Sequence, residues 1–423
     1  MITTIRTHLR STLIVNTYLL FFIRLLGTGF GFLFWAMAAK VMTAEQVGLA
    51  SGTVSSNMLL AGLAQLGLGY GLVRHLAHTK KPNALLNMAF IITAVISVIL
   101  AILFLLMLSV WSPALLPLHD NVTTMILFVL FVVGTSLSQM LHWAFMATRQ
   151  LTYSLIKNVS QAFLAIVLLL LFQPIFPGYP GAVIAYTGAT LVSLLVAWIC
   201  FLPKAQSGYR FDLDFSIPLR SSFARFSLVN YVTDQFQRAP DTLLPLIVIN
   251  LFGVEISAYF FVVWTLGRSM SAWAGSIAES LFAEGSFAPS QLSALVWRAA
   301  RFGLLLSTGL ALIVAASGRL ILSIYGADYA TQGIELLYFV AGTAVPTVLL
   351  SVLVNYLRVR NNLRAVFVMM SASIGAGMIL AVIGMQLWGL VGVGIGWLFA
   401  QLAVLLISSC WMQWHQHQPS KEL

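Results

Sequence analysis

Apolar stretches of about 20 residues recur from one end of this 423-residue chain to the other. As a helix, each stretch is long enough to cross a bilayer core of about 30 Å. Only 8% of the residues are charged, whereas a soluble domain carries about 25%. The short alternating segments of a membrane β-barrel are absent from the sequence. The sequence therefore predicts an all-α polytopic membrane protein.

We predict about twelve transmembrane helices. The first apolar run is too long for the core of a signal peptide and has no convincing cleavage site, so we expect it to remain in the protein as the first span. The predicted spans are residues 13–39, 46–73, 84–110, 122–146, 155–173, 180–202, 223–250, 256–280, 302–324, 334–357, 364–386 and 389–412.

The positions of Lys and Arg along the chain predict its orientation. The net charge of +10 comes from 22 basic and 12 acidic residues. Seventeen of the basic residues fall near the two termini or at every second junction between spans, and the other junctions hold only Lys40 and Arg319. By the positive-inside rule both termini are cytoplasmic. Because these cations set orientation, the positive charge does not indicate a nucleic-acid partner.

A polar, basic link at residues 203–222 divides the chain into halves of similar length. We predict an N-terminal six-helix lobe at 1–206 and a C-terminal six-helix lobe at 207–423. Two short matches between the halves, at offsets of 211–214 residues, indicate a duplication. The matches pair Asn16 and Arg24 with Asn230 and Arg238, and residues 178–185 with residues 389–396. A repeat of six spans gives both lobes the same orientation in the membrane.

Three arginines fall near the middle of predicted spans: Arg24, Arg238 and Arg268. Arg24 lies about eleven residues, or roughly 17 Å, into the first span. A guanidinium at the centre of a membrane helix costs about 2.5–3.5 kcal/mol on the insertion scale, so each needs a partner or a water-filled cavity. Because the planar fork of Arg suits a phosphate, we predict that the three arginines line an anion-binding cavity. The alternative is that each pairs with an acid or with helix carbonyls and only braces the bundle.

The seventh span is the most polar one. Asn230, Asp234, Arg238 and Asp241 follow at intervals of four, four and three residues, which places them on one face of a helix. We predict that Asp234 or Asp241 forms a Na⁺ or H⁺ site whose occupancy controls the neighbouring arginine. Asn230 and its counterpart Asn16 are predicted to lie beside the bound anion. The alternative is an internal Asp–Arg bridge that neutralises both charges.

The remaining motifs indicate packing rather than chemistry. The Gly-Leu-Gly-Tyr-Gly run at 67–71 has no strand before it and lies in an apolar context, so we expect close packing or a bend rather than a nucleotide site. Gly392 and Gly396 also indicate packing. The two cysteines, Cys200 and Cys410, support neither a disulfide framework nor a metal site. Without a Walker lysine motif, transport would be driven by an ion, a potential or the substrate's own gradient.

Three segments resemble one known family. Residues 38–48 (AAKVMTAEQVG) and 67–74 (GLGYGLVR) are similar to the opening of polysaccharide flippases, and residues 324–329 (IYGADY) are similar to the junction between that family's ninth and tenth spans. These are the O-antigen and exopolysaccharide lipid flippases (Wzx type) of the multidrug/oligosaccharidyl-lipid/polysaccharide superfamily. The resemblance covers most of the chain.

The resemblance implies alternating access between two lobes around a cationic cavity. That cavity would take the pyrophosphate-sugar head of an undecaprenyl-linked oligosaccharide while the prenyl tail stays in lipid. It implies a transporter rather than an enzyme, in O-antigen or other lipopolysaccharide assembly at the bacterial inner membrane. Membrane lipids and the polysaccharide polymerase machinery are the further partners implied, and no cofactor is implied beyond a coupling Na⁺ or H⁺. Arg24 matches the family's habit of placing a cation in the first span, and Arg238 and Arg268 would face it.

Other function classes stay open at this point. An ion-coupled drug or cation antiporter of the same fold would favour an acidic cavity, whereas the first predicted span holds no Asp or Glu. A membrane polysaccharide polymerase, ligase or acyltransferase would present Arg or His in a large outer loop, and the predicted outer loops are short. A scaffold without transport activity would leave the three arginines unexplained.

Overall fold

The computed structural model describes residues 12–211, 221–287, 292–360 and 362–416, and for some helical stretches, residues 12–25 among them, it describes the backbone alone. The long elements in these ranges are all α-helices. In chain order they are α1 (Thr12–Val41), α2 (Ala44–Ala64), α3 (Leu68–His75), α4 (Pro82–Leu106), α5 (Val122–Ala147), α6 (Leu151–Phe172), α7 (Tyr179–Val196), α8 (Ser221–Phe252), α9 (Val254–Phe287), α10 (Leu292–Ser323), α11 (Ala327–Gly342), α12 (Ala344–Val359) and α13 (Leu363–Gln416). Shorter helical segments lie at Leu76–His78, Leu108–Trp111, Pro113–His119, Ala197–Phe201 and Leu202–Ala205.

The predicted all-α, multi-pass fold class is confirmed. Each predicted span coincides with one helix, two successive helices or one limb of a helix. The second span is α2 followed by α3, the tenth is α11 followed by α12, and the last two are the limbs of α13 on either side of a kink at Trp388 and Gly389. Within the described ranges, eight helical stretches are long and apolar enough to cross a membrane.

Local sequence signals set several helix ends. Thr43 and Gln46 form a capping box at the start of α2, in which each side chain accepts a hydrogen bond from the other residue's backbone N–H. Asn121 caps α5 by accepting from the backbone N–H of Thr123 at 2.8 Å. Gly253, at φ 86°, separates α8 from α9 in a conformation that glycine adopts at low cost.

The chain bends sharply between α2 and α3. Leu66 and Gly67 both have positive φ there, 46° and 73°. A Cβ on Gly67 would collide with the backbone carbonyl of Ser227 on α8, and one on Gly69 would collide with the ring of Trp143 on α5. The glycine run at 67–71 therefore serves both a bend and close packing, as predicted.

The chain divides into two compact units, Met1–Ala258 and Tyr259–Leu423. In the first, one apolar cluster includes Phe90 and Phe145, and a second includes Phe128. In the second unit, the limbs of α13 approach so closely that a Cβ on Gly392 or Gly396 would strike backbone atoms of the opposite limb. The predicted packing role of these two glycines is confirmed. The first unit includes α8, and the predicted lobe boundary at 206/207 stays a prediction.

The start of the polar link is anchored to α4. The hydroxyl of Tyr209 donates to Asn87 Oδ1 at 2.7 Å, and Asn87 Nδ2 donates to the carbonyl of Arg210 at 2.9 Å. Burial raises the pKa of Tyr209 to about 12, so the phenol keeps its proton at neutral pH. The link therefore starts from a fixed point on α4.

Candidate functional site

The polar face of α8 carries an ion pair. Arg238 Nε lies 2.9 Å from Asp234 Oδ2, one helical turn away, and donates a hydrogen bond to it. The Arg238 side chain is 53% exposed and that of Asp234 is 23% exposed. A guanidinium has five N–H donors. Within the described part of the chain, the Arg238 side chain has no other hydrogen bond or ion pair. Its two terminal NH₂ groups are therefore open to a ligand.

Two side chains of α8 hold this face against the bend between α2 and α3. The hydroxyl of Tyr231 donates to the carbonyl of Leu63 at 2.9 Å. Gln235 Nε2 donates to the carbonyl of Gly62 at 3.0 Å. Both carbonyls belong to the last turn of α2, and that of Gly62 also accepts from the backbone N–H of Gln65 at 3.2 Å. These bonds fix the position of the Asp234–Arg238 pair relative to α2 and α3.

A small cleft with a cavity volume of about 20 Å³ lies beside the ion pair. Tyr70 on α3 lies beside Asp234, and its ring packs against that of Trp143 on α5 with 4.6 Å between centroids. The cleft is lined by Gly62, Gln65, Gly67, Gly69, Tyr70, Gln139, Trp143, Tyr231, Asp234, Gln235 and Arg238. Most of these side chains can donate or accept hydrogen bonds, so the cleft is suited to a polar ligand.

A second group of polar side chains lies between α5 and α6. Lys157 is 3% exposed, and its Nζ donates to the carbonyl of Ser138 at 3.3 Å and contacts the Ser138 hydroxyl. His142 Nδ1 is hydrogen-bonded to the hydroxyl of Ser154. His142 also lies near both Lys157 and Arg238. The first unit therefore also holds an imidazole and a buried amine between α5 and α6.

The buried lysine allows a test of local stability. We expect Ser138→Ala to lower the free energy of unfolding by about 1–3 kcal/mol, because it removes the side-chain partner of a buried amine. Lys157→Met should not lower stability, since it replaces that amine with an apolar side chain of similar length. Unfolding of the detergent-solubilised protein by SDS titration measures both variants. Unchanged stability of Ser138→Ala would contradict this role of Ser138.

Arg268 lies in the second unit, on α9. Its guanidinium carbon is 5.9 Å from the ring centroids of both Trp264 and Trp397. The two indoles meet edge to face with 5.4 Å between centroids. Trp is the aromatic side chain that holds a cation best. The two tryptophans therefore fix the direction of the Arg268 side chain.

Comparison with known sequences shows to which protein family the chain belongs. The sequence profile of the family described as polysaccharide biosynthesis protein matches residues 13–236, more than half of the 423 residues. The chain belongs to this family. No curated protein matches it significantly in sequence.

The fold of the chain is similar to those of solved transporters. The lipid II flippase MurJ in an inward closed conformation aligns with a TM-score of 0.75 at 12% identity, over 95% of this chain and 87% of the other. An inward-facing multidrug resistance MATE family transporter of the MOP superfamily aligns with a TM-score of 0.70 at 14% identity, over 93% and 94%. A MATE structure in complex with MaD5 aligns with a TM-score of 0.60 at 14% identity, over 94% of each chain. These similarities establish the fold that the sequence resemblance implied.

The structure brings together some of the predicted site residues. Asp234 and Arg238 form the ion pair that was one of the two alternatives, and Asp241 is exposed one turn further along α8. The side chains of Arg24 and Asn16 on α1, and of Asn230 on α8, lie outside the described part of the chain. Their predicted roles stay predictions.

Sequence reasoning missed several residues of the site. Tyr70 is the tyrosine of the glycine run at 67–71, and its polar hydroxyl in an apolar span was the available signal. Lys157 was counted with a cytoplasmic junction, whereas the structure places it seven residues into α6 and buries it. Gln139 and Trp143 gave no signal, because their place in the cleft depends on how α5 packs against α3.

Proposed function

We propose that this protein flips undecaprenyl-pyrophosphate-linked oligosaccharides from the cytoplasmic to the outer leaflet of the bacterial inner membrane. The units would serve the synthesis of a cell-surface polysaccharide such as O-antigen. Membership of the polysaccharide biosynthesis family and the MurJ-like and MATE-like fold support a transporter of this kind. On this proposal the protein moves its substrate without changing it chemically, and both termini face the cytoplasm.

One observation carries the choice of an anionic substrate: Arg238 is half exposed in a polar cleft with both terminal NH₂ groups unused in the described structure. Parallel N–H donors of this kind bind two oxygens of a phosphate at once. Arg238 would therefore bind the pyrophosphate while Asp234 holds its Nε. Arg24, Arg268, Asn16 and Asn230 are proposed as further ligands of the substrate head.

The Asp234–Arg238 pair also provides a route to ion coupling. A proton or Na⁺ at Asp234 would neutralise the carboxylate and release Nε of Arg238, which raises the attraction of Arg238 for an anion. Departure of that proton or ion would restore the ion pair and weaken the hold on the substrate. Asp241, exposed on α8, is proposed as a second coupling carboxylate.

Removal of the protein from its host tests the proposal. We expect lipid-linked repeat units to accumulate in the cytoplasmic leaflet, because their synthesis continues while their transfer stops. The measurement is lectin labelling of the lipid-linked glycan in right-side-out and inside-out membrane vesicles. Normal labelling of the right-side-out vesicles from the deletion strain would contradict the proposed function.

A further inference from the structure

A second pocket lies apart from the arginine cleft, among α1, α6 and α7. It is partly open to its surroundings and has a cavity volume of about 220 Å³. Gly27 and Gly31, one turn apart on α1, form part of its wall. A Cβ built on either glycine meets no atom within 4 Å, in contrast to the packing glycines at 67 and 69. These two glycines therefore widen the pocket and do not serve close packing.

The pocket presents polar groups that the described protein leaves without partners. Asn158 on α6 and Tyr186 on α7 both line it, and neither the Asn158 amide nor the Tyr186 hydroxyl has a hydrogen bond to another described residue. Gln161, one turn after Asn158, donates one amide hydrogen to Thr190 at 2.9 Å and accepts from Ser193 at 3.4 Å. Its orientation is thereby fixed and its second amide hydrogen stays available. Polar groups without a partner among the described residues suit a polar ligand, because a buried polar group that stays unpaired is costly.

Aromatic rings form the rest of the wall. Phe30 and Phe34 face the pocket from α1. Phe34 is 3% exposed and meets the ring of Tyr186 edge to face at 5.2 Å, and Phe131 packs on the same tyrosine at 5.6 Å. These contacts hold Tyr186 in place. Among the described residues that line the pocket, none is charged.

We propose that this pocket binds a neutral sugar residue of the transported oligosaccharide, an inference that rests on the proposed function. Amide and phenol groups each both donate and accept, which matches the hydroxyl groups of a sugar. The C–H faces of a sugar ring match the aromatic wall. A phosphate would find no cation among these residues, and a prenyl chain would leave Asn158 and Tyr186 unpaired. On this proposal the cleft that contains Arg238 binds the pyrophosphate, and the pocket among α1, α6 and α7 binds one sugar of the glycan.

Gly31→Leu tests the proposal because its side chain fills the pocket while the local packing stays unchanged. Gly29→Leu is the matched control: Gly29 lies on the same helix, its Cβ would also meet no atom within 4 Å, and it does not line the pocket. The assay is native mass spectrometry of the full chain in detergent. The probes are the undecaprenyl-pyrophosphate-linked oligosaccharide from a host strain that lacks this protein, and undecaprenyl pyrophosphate without sugar.

We expect the wild type and Gly29→Leu to prefer the glycosylated lipid by about tenfold or more. Gly31→Leu and the double variant Asn158→Leu/Tyr186→Phe should lose this preference and still bind undecaprenyl pyrophosphate as the wild type does. A preference that survives in both of these variants would overturn the sugar pocket alone. If the wild type binds neither lipid, the proposed function itself fails, and the sugar pocket fails with it.

Discussion

Arg238→Ala should reduce flipping of an undecaprenyl-pyrophosphate-linked oligosaccharide by roughly 100-fold or more. The two open NH₂ groups of Arg238 offer the phosphate two charge-assisted hydrogen bonds, each contributing about 1.5–3 kcal/mol. Their joint loss corresponds to roughly two to four factors of ten in binding or transport. The measurement uses proteoliposomes and follows the arrival of labelled substrate at the leaflet that a membrane-impermeant reagent reaches.

Because the ion pair is exposed, Arg238→Ala should reduce transport without unfolding the protein. Arg238 is 53% exposed, and exposed i,i+4 pairs contribute about 0.3–0.5 kcal/mol to stability. The variant should therefore unfold at nearly the same SDS fraction as the wild type. Arg238→Lys should keep part of the activity, since it keeps the charge and loses the two parallel donors. If folded Arg238→Ala flips the substrate at the wild-type rate, the role proposed for Arg238 is wrong.

Asp234→Asn separates the coupling role from the binding role. This variant keeps the shape of the side chain and removes the charge that neutralises Arg238. Substrate binding should persist, while its dependence on pH or Na⁺ should disappear. Asp241→Asn tests the second proposed coupling carboxylate, which lies exposed on the same helix, and it should weaken that dependence as well.

The sequence predicted the helices well because a membrane span has a strong and local signal. Length and apolar composition were enough to place all twelve predicted spans on helices, including the two limbs of α13 that meet at Trp388 and Gly389. The spacing of four residues between Asp234 and Arg238 was enough to raise the possibility of an ion pair. Both features depend on residues close together in the chain.

Contacts between helices that are distant in the chain could not be predicted from the sequence. Lys157 has the position of a loop cation near a predicted span end, and its burial depends on Ser138, which lies 19 residues earlier on another helix. The sugar pocket combines glycines of α1 with Asn158 of α6 and Tyr186 of α7. A glycine can allow close packing, as at Gly67, or leave room for a pocket, as at Gly31. The difference depends on which atoms lie opposite the glycine, and the hydropathy of the sequence does not show them.

Gly67→Ala should destabilise the fold by roughly 3–5 kcal/mol. Positive φ costs a non-glycine residue about 1–2 kcal/mol, and Gly67 has φ 73°. The new methyl group would also strike the carbonyl of Ser227, which belongs to the backbone of α8 and cannot rotate away. Moving α8 aside would break the hydrogen bonds of Tyr231 and Gln235 to α2, each contributing about 0.5–1.5 kcal/mol.

Gly29→Ala is the matched control for this substitution. A Cβ on Gly29 meets no atom within 4 Å, and alanine favours a helix over glycine by about 0.8–1.0 kcal/mol, so this variant should be slightly more stable than the wild type. SDS titration of the purified protein, read by tryptophan fluorescence, gives both values. If the two alanine variants unfold at the same SDS fraction, the bend between α2 and α3 does not hold α8 in the way the structure indicates. A large gap between them would support the role of Gly67 in the packing of α8 against the bend.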